Sequence, residues 1–196
     1  MKKKLLFLPV SLLLALLFCV TAFAENRVPQ MEIDVALQAD GSACITETWT
    51  ASTDNGTEFY LARNDSGYLS YTDFSVSDAN GAYTFVEDWD IEASFEEKAG
   101  KCGIVRTFDG VELCWGITAY GENRYTLQYT VHGLVGCYSD ADGFNHRFVD
   151  ELSFSPTDVV LTVRNQDGTP LNDELCDIWG FGFDGQIQFE DGVIRA

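Results

Sequence analysis

Asn123-Arg-Tyr-Thr-Leu-Gln-Tyr-Thr-Val-His-Gly133 places Tyr125, Leu127, Tyr129 and Val131 on one face and Thr126, Gln128 and Thr130 on the other. Successive side chains of an extended chain point to opposite sides, so this stretch predicts a strand with one buried face. The segments on either side repeat the pattern. Met31, Ile33, Val35 and Leu37 alternate with Glu32, Asp34, Ala36 and Gln38, and Val111, Leu113, Trp115 and Ile117 form the apolar face of another strand. Val159, Leu161 and Val163 alternate in the same way within Thr157 to Arg164. Turn signals separate these runs: Asp40-Gly41, Asn55-Gly56, Asn80-Gly81, Asp109-Gly110, Asp167-Gly168 and Asp191-Gly192. Short strands at regular spacing, with no long amphipathic helix, predict an all-β fold: an antiparallel β-sandwich.

The pairings can be anticipated in part. A three-residue loop with Gly41 left-handed sets Leu37, Val35 and Ile33 opposite Ile45, Glu47 and Trp49, which carries Glu47 to the inner face. A carboxylate there must be paired, hydrogen-bonded or near a rim. A two-residue turn at Asp109-Gly110 sets Cys102 opposite Ile117, roughly 10 Å along the strand from Cys114 and on the other face. Tyr71 to Ser77 and Ala82 to Val86 read as a hairpin, and Trp89 to Ala93 continues in strand-like alternation. Phe95 to Gly100 reads as a turn or one helical turn, and Phe144 to Leu152 is consistent with either a strand or a helix. Ser66-Gly67 falls in a polar loop. The final hairpin turns at Asp191-Gly192 and leaves a short arm at Val193 to Ala196. That arm leads us to expect the sandwich to lack its C-terminal strand or strands, the parent chain running on beyond Ala196.

The chain opens Met1-Lys2-Lys3-Lys4, continues apolar from Leu5 to Val20 and reaches Ala22-Phe23-Ala24, the order of a secretory signal peptide. Residues 1–24 are therefore assigned to the signal and 25–196 to one extracytoplasmic β-sandwich domain. Removing the signal's three lysines takes the formal charge from -19 to -22. Nucleic acid and anionic membrane surfaces are poor partners for such a charge, and a solvated, self-repelling surface is the plain reading. Beyond the signal, Cys44, Cys102, Cys114, Cys137 and Cys176 are an odd set that cannot close into a full disulfide framework. They read mainly as small buried residues, with at most one or two long-range bridges.

No catalytic signature emerges. His132 and His146, the only histidines, lack metal-site spacing. Cys137 and His146 would form a thiolate pair only if the fold joined them. Asp140-Ala-Asp142-Gly143 opens like a calcium loop, but Phe144 and Asn145 break the EF-hand pattern. No metal site or cofactor is expected, and Asp140 and Asp142 are the nearest approach to one. Glu47 is the only acid that the pattern turns inward, so a glycosidase-like pair would have to involve it. Trp49 and Trp115 lie on core faces and read as packing residues rather than a sugar-stacking platform.

Taken together, the signal, Asp40-Gly-Ser-Ala-Cys-Ile-Thr-Glu-Thr-Trp49, Thr57-Glu-Phe-Tyr60, Leu113-Cys-Trp-Gly116, Tyr125-Thr-Leu-Gln-Tyr-Thr-Val131 and Trp179-Gly-Phe-Gly182 resemble the bacterial predicted-membrane-protein family called domain of unknown function 2207. The resemblance implies an extracytoplasmic N-terminal β-domain, normally followed by a membrane segment and often a Gly/Ser-rich tail; it implies no catalytic residues. The expected function is a binding or structural module of a membrane-associated protein, exported and tethered where the chain continues past Ala196, with a protein or cell-envelope partner. The competing classes are an acid-dependent, glycosidase-like hydrolase and a calcium-dependent carbohydrate-binding domain.

Overall fold

β9 (Gly121–His132) is an interior strand of the larger sheet, and Tyr125, Leu127, Tyr129 and Val131 are all fully buried. The computed structural model describes residues 26–64, 68–149 and 156–196. In chain order the other elements are β1 (Arg27–Leu37), β2 (Ala43–Thr53), β3 (Glu58–Asn64), β4 (Ser70–Asp78), β5 (Gly81–Ala82), β6 (Thr84–Val86), a helical turn α1 (Phe95–Lys98), β7 (Lys101–Arg106) and β8 (Gly110–Gly116). After β9 follow β10 (Gly136–Cys137), β11 (Asp142–Gly143), β12 (Asp158–Asn165), β13 (Gln188–Glu190) and β14 (Val193–Arg195). The expected signal peptide and the Ser66-Gly67 loop lie outside the described residues.

Two sheets form the sandwich. The larger has eight strands in the order β13-β14-β12-β1-β2-β9-β4-β5, and the smaller has four in the order β3-β8-β7-β6; β10 and β11 make a separate two-stranded ribbon. Trp49 on β2 meets Trp115 on β8 edge to face, with ring centroids 5.1 Å apart. Phe59 on β3 stacks on Trp115 at 5.6 Å and meets Tyr125 on β9 at 5.7 Å. Neither tryptophan has any exposed surface, and truncating either to alanine would cost about 3–5 kcal/mol.

The all-β sandwich stands, but its sheets are mixed rather than wholly antiparallel. β1 runs parallel to β12, and β6 runs parallel to β7. The chain also changes sheet between β5 and β6, so the expected hairpin from Tyr71 to Val86 is reduced to the pairs Ser77–Ala82 and Asp78–Gly81 and a bond from Tyr83 N–H to the Val76 carbonyl at 2.8 Å. The terminal arm is not an edge: β14 lies between β12 and β13, and Ala196 exchanges backbone hydrogen bonds with Leu161. Asp191 and Gly192, with φ of 51° and 81°, make the tight turn before it.

Both expected registers are displaced by two residues. The β1–β2 loop does hold three residues, closed by Gln38 N–H to the Ser42 carbonyl at 2.8 Å, with Gly41 at φ 81°. A Cβ at Gly41 would stand 2.9 Å from the Val135 carbonyl oxygen, so both conformation and space require glycine. Yet Val35 faces Ile45, Ile33 faces Glu47 and Met31 faces Trp49. In the β7–β8 hairpin, Thr107 N–H closes on the Gly110 carbonyl, which centres the turn on Phe108-Asp109 and sets Cys102 opposite Trp115. An even slip keeps every side chain on its face, so the predicted cores survive both displacements.

Two local readings change. Trp89 to Ala93 is not a strand, because the Asp90 side chain accepts from Glu92 N–H and its carbonyl from Ala93 N–H, which closes a turn. Phe95–Lys98 is a helical turn capped reciprocally by Ser94 and Glu97. Phe144 to Val149 is neither strand nor helix, and 150–152 lie outside the described residues. The five cysteines among the described residues are all free thiols. Burial pushes the Cys102 thiol up to about 11; burial, with Glu58 and Glu112, pushes that of Cys114 up to about 12.

Candidate functional site

Glu47 and Arg63 are both inward residues of strands by the same alternation that buries their neighbours. Glu47 lies between Ile45 and Trp49 on β2, and Arg63 follows Phe59 and Leu61 on β3. The sandwich brings the two strands face to face, and the opposite charges meet between the sheets. Arg63 Nη2 stands 2.7 Å from Glu47 Oε1, with side chains only 1% and 0% exposed. Tyr129 on β9 closes the group: its hydroxyl donates to Glu47 Oε1 at 2.5 Å and accepts from Arg63 Nη2 at 2.7 Å. Trp49 Nε1 donates to Glu47 Oε2 at 2.8 Å, and Arg63 Nη1 donates to the Phe148 carbonyl at 3.3 Å.

Three donors thus converge on one carboxylate, the arrangement that makes a buried charge tolerable. Burial would lower the Arg63 pKa, but Tyr129 and Glu47 outweigh it and hold the guanidinium above its ordinary value. Burial, with Glu47 adding to it, pushes the Tyr129 phenol well above its ordinary value, so Tyr129 remains a proton donor at neutral pH. Glu47 is the only acid among the buried described residues, and its near neighbours here are donors, not a second acid. The geometry of a glycosidase pair, two carboxylates across a cleft, is not formed around it.

Arg63 also lines a pocket of about 310 Å³ between the end of β3, the start of β4, Leu134 beyond β9, and residues 145–147. The imidazole of His146 is set against the Phe148 ring, centroids 4.9 Å apart. Only Glu47 could be singled out from sequence; the pocket joins four separated segments, and no local spacing announces it. Arg63 did carry a signal, as a cation in phase with Phe59 and Leu61.

The remaining candidates are scattered. Asp140 and Asp142 are exposed on the β10–β11 ribbon, where Asp142 accepts from the Cys137 thiol and raises its pKa. Among the described residues no three His, Cys, Asp or Glu side chains are grouped closely enough to hold a metal ion. Cys137 is therefore partnered with Asp142, while His146 sits in the pocket. His132 Nε2 is 2.9 Å from Thr72 Oγ1, which itself donates to Asp73, on an exposed face. A second polar group lies nearer the rim: buried Lys98 Nζ contacts Glu58 at 3.1 Å and the Ile91 carbonyl at 2.6 Å, and Trp89 donates to the same Glu58 oxygen. It ties the 89–98 segment to β3. Trp179 is exposed rather than packed.

The structure defines an all-β sandwich with a sealed charged group at its centre and a pocket beside it. The chain belongs to the predicted membrane protein (DUF2207) N-terminal domain family, whose model matches residues 27–172. No curated protein matches its sequence. Among solved structures, yeast LTA4 hydrolase in complex with bestatin is similar at 9% identity and a TM-score of 0.46, over 87% of this chain and 26% of that one. An M1 zinc metallopeptidase from Deinococcus radiodurans gives 12% and 0.38, over 87% and 38%. A putative protease from Parabacteroides distasonis gives 15% and 0.37, over 87% and 34%. The chain spans well under half of each, and likenesses this distant carry nothing about activity. Among the described residues no helix is long and apolar enough to cross a membrane.

Proposed function

We propose that the domain is an extracytoplasmic binding or structural module of a membrane-associated protein. The observation that carries this reading is the placement of charge. Of the described acids only Glu47 is buried, and it is engaged by Arg63, Tyr129 and Trp49; the other described acids are half-buried or exposed, in a chain with 31 acids and 12 Lys and Arg. Such a surface suits a domain held in solvent beside a membrane and kept from sticking to anionic lipid, while the charged group locks the two sheets together. The basic-apolar-small order of residues 1–24 supports export, and family membership supports association with a membrane protein. The test fuses alkaline phosphatase, which matures only outside the cytoplasm, after Ala196. Phosphatase activity that disappears when residues 1–24 are deleted is expected. An inactive fusion retained in the cytoplasm would contradict the reading.

A further inference from the structure

Segment 172–187, between Leu171 and β13, turns its large apolar side chains outward. Leu175, Trp179 and Phe181 are 69%, 71% and 83% exposed, and Phe183 is 48% exposed. Nowhere else among the described residues do more than two large apolar side chains stand exposed within nine positions. We propose that this segment is the docking site of a cationic polypeptide, whose Lys or Arg side chains lie over Trp179 and Phe181 and meet the carboxylates that flank them.

Three observations carry the assignment. The first is the exposure itself: singly exposed aromatics are ordinary, as Phe108 is at the β7–β8 turn, but several in one stretch mark an interaction surface. The second is charge. Asp173, Glu174, Asp177 and Asp184 are all exposed, and the segment has no Lys, Arg or His. Among the described residues no ion pair engages any of the four. A neutral partner covering the rings would strip water from these carboxylates and return nothing to them. A second copy brings the same acids and the same net charge of -19, and an anionic lipid surface is repelled likewise. A Lys or Arg side chain suits both halves of the surface at once, its charge facing a carboxylate and its stem or plane lying on a ring. The third is preorganisation. Asn172 Oδ1 accepts from the N–H groups of Glu174 and Leu175 at 3.1 and 3.2 Å, and Leu171 N–H donates to the Gly192 carbonyl at 2.8 Å, which closes the base of the segment. The Phe183 ring is seated on Gly180 and Gly185, where a Cβ would come within 2.5 and 2.8 Å of it. Trp179 and Phe181 therefore project from a held segment, and a partner loses little to ordering it. All but Asn172 lies beyond the residues 27–172 that the family model matches, so family membership does not assign this site.

The assignment rests on reading the domain as a binding module but not on where the domain resides. The experiment titrates octa-arginine, and in parallel the neutral isostere octa-citrulline, into the purified chain at about 0.15 M salt, which screens diffuse attraction beyond about 8 Å. Octa-arginine is expected to shift the backbone amide resonances of residues 173–187 saturably, with a Kd on the order of 100 μM, and octa-citrulline to bind about tenfold more weakly or less tightly still. The double variant Trp179→Ala, Phe181→Ala removes no charge and should weaken octa-arginine about tenfold with the thermal midpoint unchanged, whereas Phe108→Ala should leave the affinity as it is. A double variant that keeps its full affinity would overturn the proposal, since attraction to the acidic surface alone would then account for binding. Equal binding of the two peptides, no saturable shift, or attachment through Trp179 to phosphatidylcholine vesicles in place of octa-arginine would also overturn it. Saturable shifts confined to another surface would overturn the docking site and leave the binding reading of the domain standing.

Discussion

Two ion pairs in this molecule have almost the same length and opposite surroundings. Arg63 reaches Glu47 at 2.7 Å between the sheets, and Arg164 on β12 reaches Asp34 on β1 at 2.8 Å on the outside of the larger sheet. The outer pair has the better geometry, since Arg164 holds Asp34 through both Nε and Nη2. Its side chains are nevertheless 38% exposed on each side, whereas those of the inner pair are 1% and 0% exposed. Water and salt can replace the outer partner almost without cost. Inside, nothing can replace either partner, so distance alone says little about what an ion pair does.

The largest expected effect comes from breaking the inner pair on one side. Glu47→Gln leaves a guanidinium buried between two sheets without its counter-charge, and a loss of about 3–5 kcal/mol is expected in urea unfolding followed by the fluorescence of Trp49 and Trp115. Tyr129→Phe keeps both charges and removes one hydroxyl that serves them both. Its cost should be smaller, about 1–3 kcal/mol, in the same assay. A Tyr129→Phe loss equal to that of Glu47→Gln would mean that the hydroxyl, not the charge pair, holds the group together.

Asp78 lies between the extremes and sharpens the comparison through pH. Its carboxylate accepts from Thr118 at 2.7 Å, Asn80 N–H at 2.7 Å and the Tyr83 hydroxyl at 3.0 Å. Partial burial raises its pKa, but these bonds outweigh burial and hold it below the ordinary 3.8. A carboxylate with a depressed folded-state pKa contributes stability that is complete above its unfolded value and is lost as pH falls through the folded one. Acid unfolding should therefore lose stability from about pH 4 downward, and Asp78→Asn should flatten that limb. An unchanged limb would show that Asp78 is not coupled to folding. The smallest effect belongs to the outer pair: Arg164→Ala should cost less than about 1 kcal/mol, and less still in high salt.

The comparison also separates what sequence makes visible from what it hides. The inward phase of Glu47 is readable from Ile45 and Trp49, and the buried faces of β8 and β9 follow from strict alternation. The partner of Glu47 is harder to find, because β3 belongs to the other sheet and only the packing of sheets brings Arg63 to it. Arg63 shared a phase with Phe59 and Leu61, so two opposite charges on inward positions were a usable sign of a buried pair. The parallel contact of β1 with β12 escapes pattern reading, since it joins residues as distant as Asp34 and Thr162 with no turn between them to mark it. Register escapes for a different reason: side-chain phase repeats every two residues, so a slip of two at Gly110 or Gly41 leaves the apolar pattern intact. At Trp89 to Ala93 alternation was present without a strand, because Asp90 satisfies the backbone locally. The pocket was invisible because its lining converges from four places, and a lining is read by charge only once it is assembled.

The central claim is that Glu47 and Arg63 act as one unit because they are buried, while Asp34 and Arg164 do not. Paired double-mutant cycles test it most directly, with Glu47→Gln and Arg63→Met in one and Asp34→Asn and Arg164→Met in the other, each variant measured by urea unfolding. The buried cycle should give a coupling of about 2 kcal/mol or more, the double variant being little worse than either single one, and the exposed cycle less than about 1 kcal/mol. Additive losses at Glu47 and Arg63, or equal couplings in the two cycles, would contradict it.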